Sequence, residues 1–71
     1  MKQNYARAAE LYEQACNGDY ANGCYNLGLV YGKGQGKQQD FSTAKKYFSK
    51  ACDLGYQQGC DWYKELNIAG Y

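Results

Sequence analysis

The sequence predicts an all-α fold, a right-handed α-solenoid of antiparallel helix hairpins that contains four helices and two disulfide bonds. The cysteines at positions 16, 24, 52 and 60 form two C-x₇-C pairs that recur at an offset of 36 residues. Apolar residues recur at helical spacing in both copies, and neither proline nor period-2 alternation interrupts them. Aligning the copies gives eight identities, so the chain contains an internal duplication.

Residues 1–36 form the first unit of a single repeat domain, 1–71, and are expected to contain two helices. Asn4 is the expected cap of the first helix, and Gly18 ends it. The second helix follows Asp19, its expected cap, and ends at the glycine-rich segment 32–36. The residues expected to face the core are Tyr5, Ala8, Tyr12, Ala15, Gly23, Cys24, Leu27, Val30 and Tyr31.

Residues 37–71 form the second unit, with Asp40 as the cap of the third helix. The fourth helix is expected over residues 57–68, and its Tyr63 and Lys64 stand where the first unit has Leu27 and Gly28. This more polar helix has the character of a cap at the end of a repeat array. The residues expected to face the core are Phe41, Ala44, Phe48, Ala51, Cys52, Cys60, Tyr63 and Leu66.

Four cysteines allow three disulfide connectivities, and the duplication selects one of them. Each C-x₇-C pair spans the turn of a helix hairpin, which places the two cysteines side by side and predicts Cys16–Cys24 and Cys52–Cys60. A zinc site is disfavoured because zinc ligands usually come in C-x₂₋₄-C pairs, so we expect no metal and no cofactor. Disulfides imply an oxidising compartment, and the natural protein is expected to be secreted or periplasmic.

Composition excludes several functional classes. The chain has no histidine, which rules out histidine-assisted nucleophiles and imidazole metal ligands. Its net charge of +1 argues against a nucleic-acid partner held by phosphate contacts. We expect no membrane partner, because no apolar run is long enough to span a bilayer. The N-terminus has no signal-peptide pattern, so a secreted protein would contain this chain as a mature piece.

The segment 26–36 reads N-L-G-L-V-Y-G-K-G-Q-G and is followed by Asp40, Ala44, Tyr47 and K-A-C at 50–52. These motifs resemble the Sel-one-like helical repeats, relatives of the tetratricopeptide repeats, and more narrowly the Helicobacter cysteine-rich proteins. The resemblance implies that the second and fourth helices line a concave surface for a peptide or protein. Two units are few for such an array, so we expect an excerpt or an engineered minimal array.

Helix geometry selects the residues expected to form this binding surface. They are Asn22, Asn26, Leu29 and Lys33 on the second helix and Gln58, Trp62 and Glu65 on the fourth. Amides can hold a peptide backbone and a tryptophan can anchor a partner, although an ordinary solvated face is the alternative. We therefore predict a non-catalytic peptide- or protein-binding module or scaffold. Weak self-association through exposed repeat ends is also expected, with Leu11 and Ala9 exposed on the first helix.

Ser42 and Lys45 form an S-x-x-K motif, which is the nucleophile motif of penicillin-recognising enzymes. The family resemblance implies the corresponding alternative function, penicillin binding with slow β-lactam hydrolysis. Neither S-D-N nor K-T-G accompanies the motif, and Ala6 and Ala9 occupy its positions in the first unit. We therefore assign no catalytic residue and favour binding. A designed or truncated scaffold without a ligand is the third alternative.

Overall fold

The computed structural model describes residues 4–71, which form four helices. These are α1 (Tyr5–Asn17), α2 (Ala21–Lys33), α3 (Phe41–Asp53) and α4 (Gln57–Ile68). Each helix packs against the next along the chain, and the molecule measures 36 × 24 × 17 Å. No strand occurs between residues 4 and 71, so the predicted all-α solenoid with four helices is confirmed.

In each unit a side chain caps the first helix, as the sequence predicts. The Asn4 carboxamide oxygen accepts the N–H of Arg7 at 3.0 Å. Asp40 accepts the N–H of Thr43 at 3.1 Å and the Thr43 hydroxyl at 2.9 Å. These bonds satisfy N–H groups that have no partner within the helix, and they fix where α1 and α3 begin.

The prediction that Asp19 caps α2 is wrong. The capping position belongs to Tyr20, which makes no side-chain capping bond. Asp19 has a φ of +64°, and its counterpart in the second unit, Gly55, has a φ of +94°. The turn between the helices of each hairpin therefore needs a left-handed residue here, a conformation that aspartate and glycine tolerate. The Asp19 carboxylate instead lies 3.8 Å from the ammonium of Lys50 on α3.

Small residues and aliphatic side chains form the centre of the core, and tyrosine rings surround it. The expected exposure of Ala9 is wrong, since it is fully buried while Ala8 is only half-buried. The connection between α2 and α3 passes over this part of α1, where a Cβ on Gly36 would lie 3.2 Å from that of Ala9. Tyr5 and Tyr63, both expected in the core, are 44% and 36% exposed.

Both predicted disulfides, Cys16–Cys24 and Cys52–Cys60, are present and leave no free cysteine in the described residues. Their Cα atoms lie 4.5 and 4.6 Å apart, within the range that a disulfide requires. Glycines allow this approach of the helices, because a Cβ at Gly23 would lie 2.5 Å from that of Ala15. Within residues 4–71 we find no helix with both the length and the apolar character needed to cross a membrane.

Candidate binding surface

We call five of the seven predicted binding residues the α2–α4 surface; two of them are hydrogen-bonded to each other, and the other three line one hollow. The five are Asn22, Asn26, Leu29 and Lys33 on α2 and Trp62 on α4. At one end the amide of Asn26 donates to the carboxamide oxygen of Asn22 at 2.7 Å. The Asn22 amide in turn reaches the hydroxyl of Tyr56, at the start of α4, at 3.4 Å.

A hollow of about 150 Å³ lies at the other end of the α2–α4 surface. The buried Phe48 contributes to its lining and stacks on Trp62, with ring centroids 5.9 Å apart. Leu29 and the stem of Lys33 line the α2 side. An apolar cavity of this volume holds a benzene-sized group, so the hollow has room for one aromatic or branched aliphatic side chain. Its lining residues are Leu29, Gly32, Lys33, Phe41, Phe48, Trp62 and Leu66.

The structure does not bring the other two predicted residues, Gln58 and Glu65, to this hollow. Both side chains are exposed on α4. Helix periodicity placed them on one stripe with Trp62, but only Trp62 is next to Phe48 of α3. The contact of Tyr56 with this surface was not predicted from the sequence. The available signal was that tyrosine occupies the equivalent positions 20 and 56 in the two units.

A second and larger depression, the α1–α2 groove, has a volume of about 310 Å³. Tyr5, Ala8 and Tyr12 line its α1 side, although the sequence predicted that these residues face the core. Tyr5 is 44% exposed, and the other two are half-buried. The complete lining is Asn4, Tyr5, Ala8, Tyr12, Asn26, Leu29, Val30, Lys33 and Gln35.

The S-x-x-K pair lines a shallow depression on the α3 side of the molecule. The ammonium of Lys45 donates to the carboxamide oxygen of Asn67 at 2.9 Å and to the carbonyl of Tyr71 at 2.7 Å. It also lies 5.5 Å from the centroid of the Tyr63 ring. No hydrogen bond joins Ser42 to Lys45 within the described residues. Both hydrogen bonds of the Lys45 ammonium therefore go to residues near the C-terminal end, Asn67 and Tyr71.

Within residues 4–71, two titratable groups have clearly shifted pKa values, and neither lies in the hollow or the groove. The N–H of Thr43, followed by its hydroxyl, lowers the pKa of Asp40 from its ordinary value of 3.8. Burial, followed by the neighbouring Tyr31 and Glu13, raises the pKa of Tyr47. Residues 4–71 contain no cluster of three or more histidine, cysteine, aspartate or glutamate side chains that could hold a metal ion. The candidate surfaces therefore offer amide, aromatic and aliphatic contacts with one lysine.

Comparison with known proteins gives a family match over most of the chain. The Sel1 repeat model matches residues 1–20 and 21–56. The chain is 37% identical to cytochrome c oxidase assembly factor 7 of Xenopus tropicalis over 60 residues, which are 83% of this chain and 26% of that protein. It is 44% identical over 43 residues to the ERAD-associated E3 ubiquitin-protein ligase component HRD3B of Arabidopsis thaliana, covering 61% of this chain and 7% of that protein.

A third relative comes from Helicobacter pylori. The chain is 43% identical over 37 residues to a protein named "Putative beta-lactamase HcpE", covering 52% of this chain and 10% of that protein. The chain thus spans about a quarter, or less, of the length of these three relatives.

Proposed function

The chain belongs to the Sel1 repeat family, and on that premise we propose that it is a non-catalytic module that binds a peptide or protein on the α2–α4 surface. Sel1 repeats generally mediate interactions between proteins. Two of the relatives are named as an assembly factor and as a component of a ligase, which agrees with a binding role.

The hollow beside Trp62 is the observation that supports this proposal most. It is an apolar site next to a half-exposed tryptophan, the residue type most often found as an interface anchor. An extended ligand would place one apolar side chain in the hollow. Asn22 and Asn26 lie nearer the start of α2, where their amides can exchange their mutual hydrogen bond for bonds to a peptide backbone.

The size of the molecule implies weak binding. Its total accessible surface is 4758 Å², and a standard interface of about 800 Å² per partner would use about a sixth of it. The α2–α4 surface occupies part of two short helices, so the ligand buries less than this. We expect dissociation constants in the micromolar range or weaker, because the entropy lost on association consumes most of the gain from a small contact.

Two further parts of the proposal concern environment and self-association. The two disulfides are compatible with an oxidising compartment, and we place the natural protein outside the cytoplasm, secreted or periplasmic. The exposed residues Tyr5 and Leu11 on α1 support weak self-association through this helix.

The proposal can be tested with linear peptides selected from a random phage-displayed library against the immobilised protein. The fluorescence of Trp62, the single tryptophan, would then report the titration of each synthesised peptide. We expect Trp62→Ala and Asn26→Ala, tested by calorimetry, to weaken binding at least about tenfold, a loss of about 1.4 kcal/mol. Tyr63→Ala is the matched control, since Tyr63 is an exposed aromatic residue on α4 that does not line the hollow.

Unchanged affinity in both Trp62→Ala and Asn26→Ala would place the site elsewhere. Failure to select any peptide would favour a scaffold without a ligand. The enzymatic alternative is tested separately by incubating the protein and Ser42→Ala with benzylpenicillin and measuring the intact mass. We expect no acyl adduct, and an adduct that disappears in Ser42→Ala would replace the binding module with an enzyme.

A further inference from the structure

The hollow beside Trp62 presents hydrogen-bond donors to a ligand. Its side-chain lining is apolar except for the indole N–H of Trp62 and the ammonium of Lys33. Within residues 4–71 neither group donates to another part of the protein. Among the described residues no carboxylate lines the hollow, so the positive charge of these two donors is left for a ligand to meet.

The backbone carbonyls at the end of α2 are already bonded. The last carbonyls of a helix have no partner within it, and here the segment that follows α2 supplies one. The carbonyl of Tyr31 accepts the N–H of Asp40 at 3.0 Å. The carbonyl of Gly32, which lines the hollow, accepts the side-chain amide of Gln39 at 2.9 Å. A ligand N–H that entered the hollow would therefore lose its bonds to water and meet carbonyls that already have a partner.

Proline is the residue whose chemistry fits this arrangement. It has no backbone N–H, its ring is apolar, and its carbonyl accepts hydrogen bonds. The hollow of about 150 Å³, lined by Leu29 and the stacked rings of Phe48 and Trp62, has room for one such ring. We propose that the α2–α4 surface binds a proline-containing segment of a partner protein in the polyproline II conformation, with one proline ring in the hollow. This inference rests on the proposed peptide-binding role and names the class of peptide.

The length of the α2–α4 surface matches one turn of a polyproline II helix. Asn22 precedes Leu29 by seven residues on α2, which is a rise of about 10.5 Å. Polyproline II has three residues per turn and rises about 3.1 Å per residue, so residues three positions apart lie on one side of it, about 9.3 Å from each other. A proline ring in the hollow thus places the residue three positions away beside Asn22.

The polar end of the surface has donors for that residue. The Asn22 amide donates to the hydroxyl of Tyr56 at 3.4 Å, which leaves the proton of this hydroxyl for a ligand carbonyl. Asn26 donates one amide proton to Asn22 and retains the other. The carbonyls of polyproline II have no partner within that helix, so donors at both ends of the surface are complementary to them in charge.

Acetylated and amidated nonaproline is the probe, because it adopts polyproline II and has no N–H along its backbone. Added to the ¹⁵N-labelled protein, it should shift the indole signal of Trp62, the single tryptophan, and the amide signals of residues 22–33. We expect a dissociation constant of about 0.5 mM, since the contact is small although the ligand is already ordered. The control is an alternating valine–serine peptide of the same length and end groups. It brings N–H groups to the hollow and should bind at least about tenfold more weakly.

Two conservative variants remove a donor and keep an aromatic ring. Trp62→Phe and Tyr56→Phe should each weaken nonaproline binding about three- to tenfold. Tyr63→Phe, the matched control, removes an exposed hydroxyl on α4 that does not line the hollow, and it should leave the affinity unchanged. The inference is overturned if the valine–serine peptide binds equally well, or if the indole signal does not move at millimolar nonaproline. Unchanged affinity in both donor variants would also overturn it.

The peptides selected from the random library separate this inference from the proposed function. Enrichment of proline among them would support both. Selected peptides that lack proline but lose affinity in Trp62→Ala would keep the binding role and overturn the preference for proline. If neither a library peptide nor nonaproline binds, the proposed function fails as well.

Discussion

Single glycine and alanine residues determine how closely the helices approach one another. In each hairpin a glycine near the start of the second helix faces an alanine in the last turns of the first. Gly23 faces Ala15 in the first unit, and Gly59 faces Ala51 in the second. Tyrosine and phenylalanine rings fill the space that remains between the helices. A core with few large aliphatic side chains can therefore be dense, because dispersion contacts depend on distance more than on residue type.

Two glycine-to-alanine substitutions should have opposite effects on stability. A Cβ at Gly59 would lie 2.9 Å from the carbonyl oxygen of Phe48 and 3.0 Å from the N atom of Cys52, and backbone atoms cannot move aside cheaply. Gly59→Ala should therefore lower the free energy of unfolding by about 1–3 kcal/mol. Gly32→Ala, the matched control with 4.0 Å of room, should raise it by up to about 1 kcal/mol. Thermal denaturation of both variants measures the difference, and equal melting temperatures would contradict it.

The cap of α3 should make stability depend on pH in acid. Hydrogen bonds from Thr43 lower the pKa of Asp40 below 3.8, so the folded state favours the carboxylate. The resulting stabilisation is fully present above the unfolded pKa and is lost as the pH falls through the lowered folded value. Asp40→Asn keeps an acceptor at the cap without the charge, so its stability should decline less than that of the unmodified protein between about pH 5 and pH 2.

Asn4 supplies the matched control for this experiment, since it caps α1 without a charge. Asn4→Asp should introduce at α1 the acid dependence that Asp40→Asn removes at α3. Urea denaturation at a series of pH values measures both changes. Parallel curves for the unmodified protein and Asp40→Asn would show that the carboxylate does not stabilise the helix.

At the scale of the elements, the sequence predicted all four helices and failed at turns and contacts. Capping and helical spacing are local, so the caps at Asn4 and Asp40 could be predicted. The role of Asp19 could not, because only the geometry of the hairpin turn reveals the left-handed backbone there. Burial of Ala9 depends on Gly36, 27 residues away in the segment between α2 and α3. Helical spacing within α1 does not reveal that contact.

The hairpins should depend on their disulfides for stability. Each disulfide closes a nine-residue loop, for which the chain-entropy model gives about 2.5 kcal/mol. We expect the double variants Cys16→Ser/Cys24→Ser and Cys52→Ser/Cys60→Ser each to lose about that much free energy of unfolding in denaturant titrations. Cys52 and Cys60 are less buried than the other pair, so limited reduction followed by alkylation should label them first. A peptide map linking Cys24 to Cys52 would contradict the pairing itself.

At the scale of the whole molecule, the two units are alike in sequence but differ in exposure. Helix α2 covers the ring of Phe48, whereas its counterpart Tyr12 lines the open α1–α2 groove. Sequence spacing assigned Tyr5 and Tyr12 to the core because it identifies the apolar face of α1 but not how much of that face the described helices cover. Trp62 lines the hollow whereas Gln58 and Glu65 do not, because the position of each side chain depends on how α4 packs against α3.

The exposed apolar residues of α1 should give the protein a weak tendency to self-associate. Tyr5 and Leu11 are 44% and 49% exposed there. We expect the apparent mass in sedimentation or light-scattering experiments to rise between about 10 µM and 1 mM. The rise should be gradual, since a contact formed by a few side chains of one helix gives a dissociation constant in the millimolar range at best. Tyr5→Lys/Leu11→Lys should remove the rise, because burying the lysines costs more than the small contact returns. Ile68→Lys, at an exposed position on α4, is the control and should leave it unchanged. A strictly monomeric protein at 1 mM, or a rise abolished by Ile68→Lys alone, would rule out association through α1.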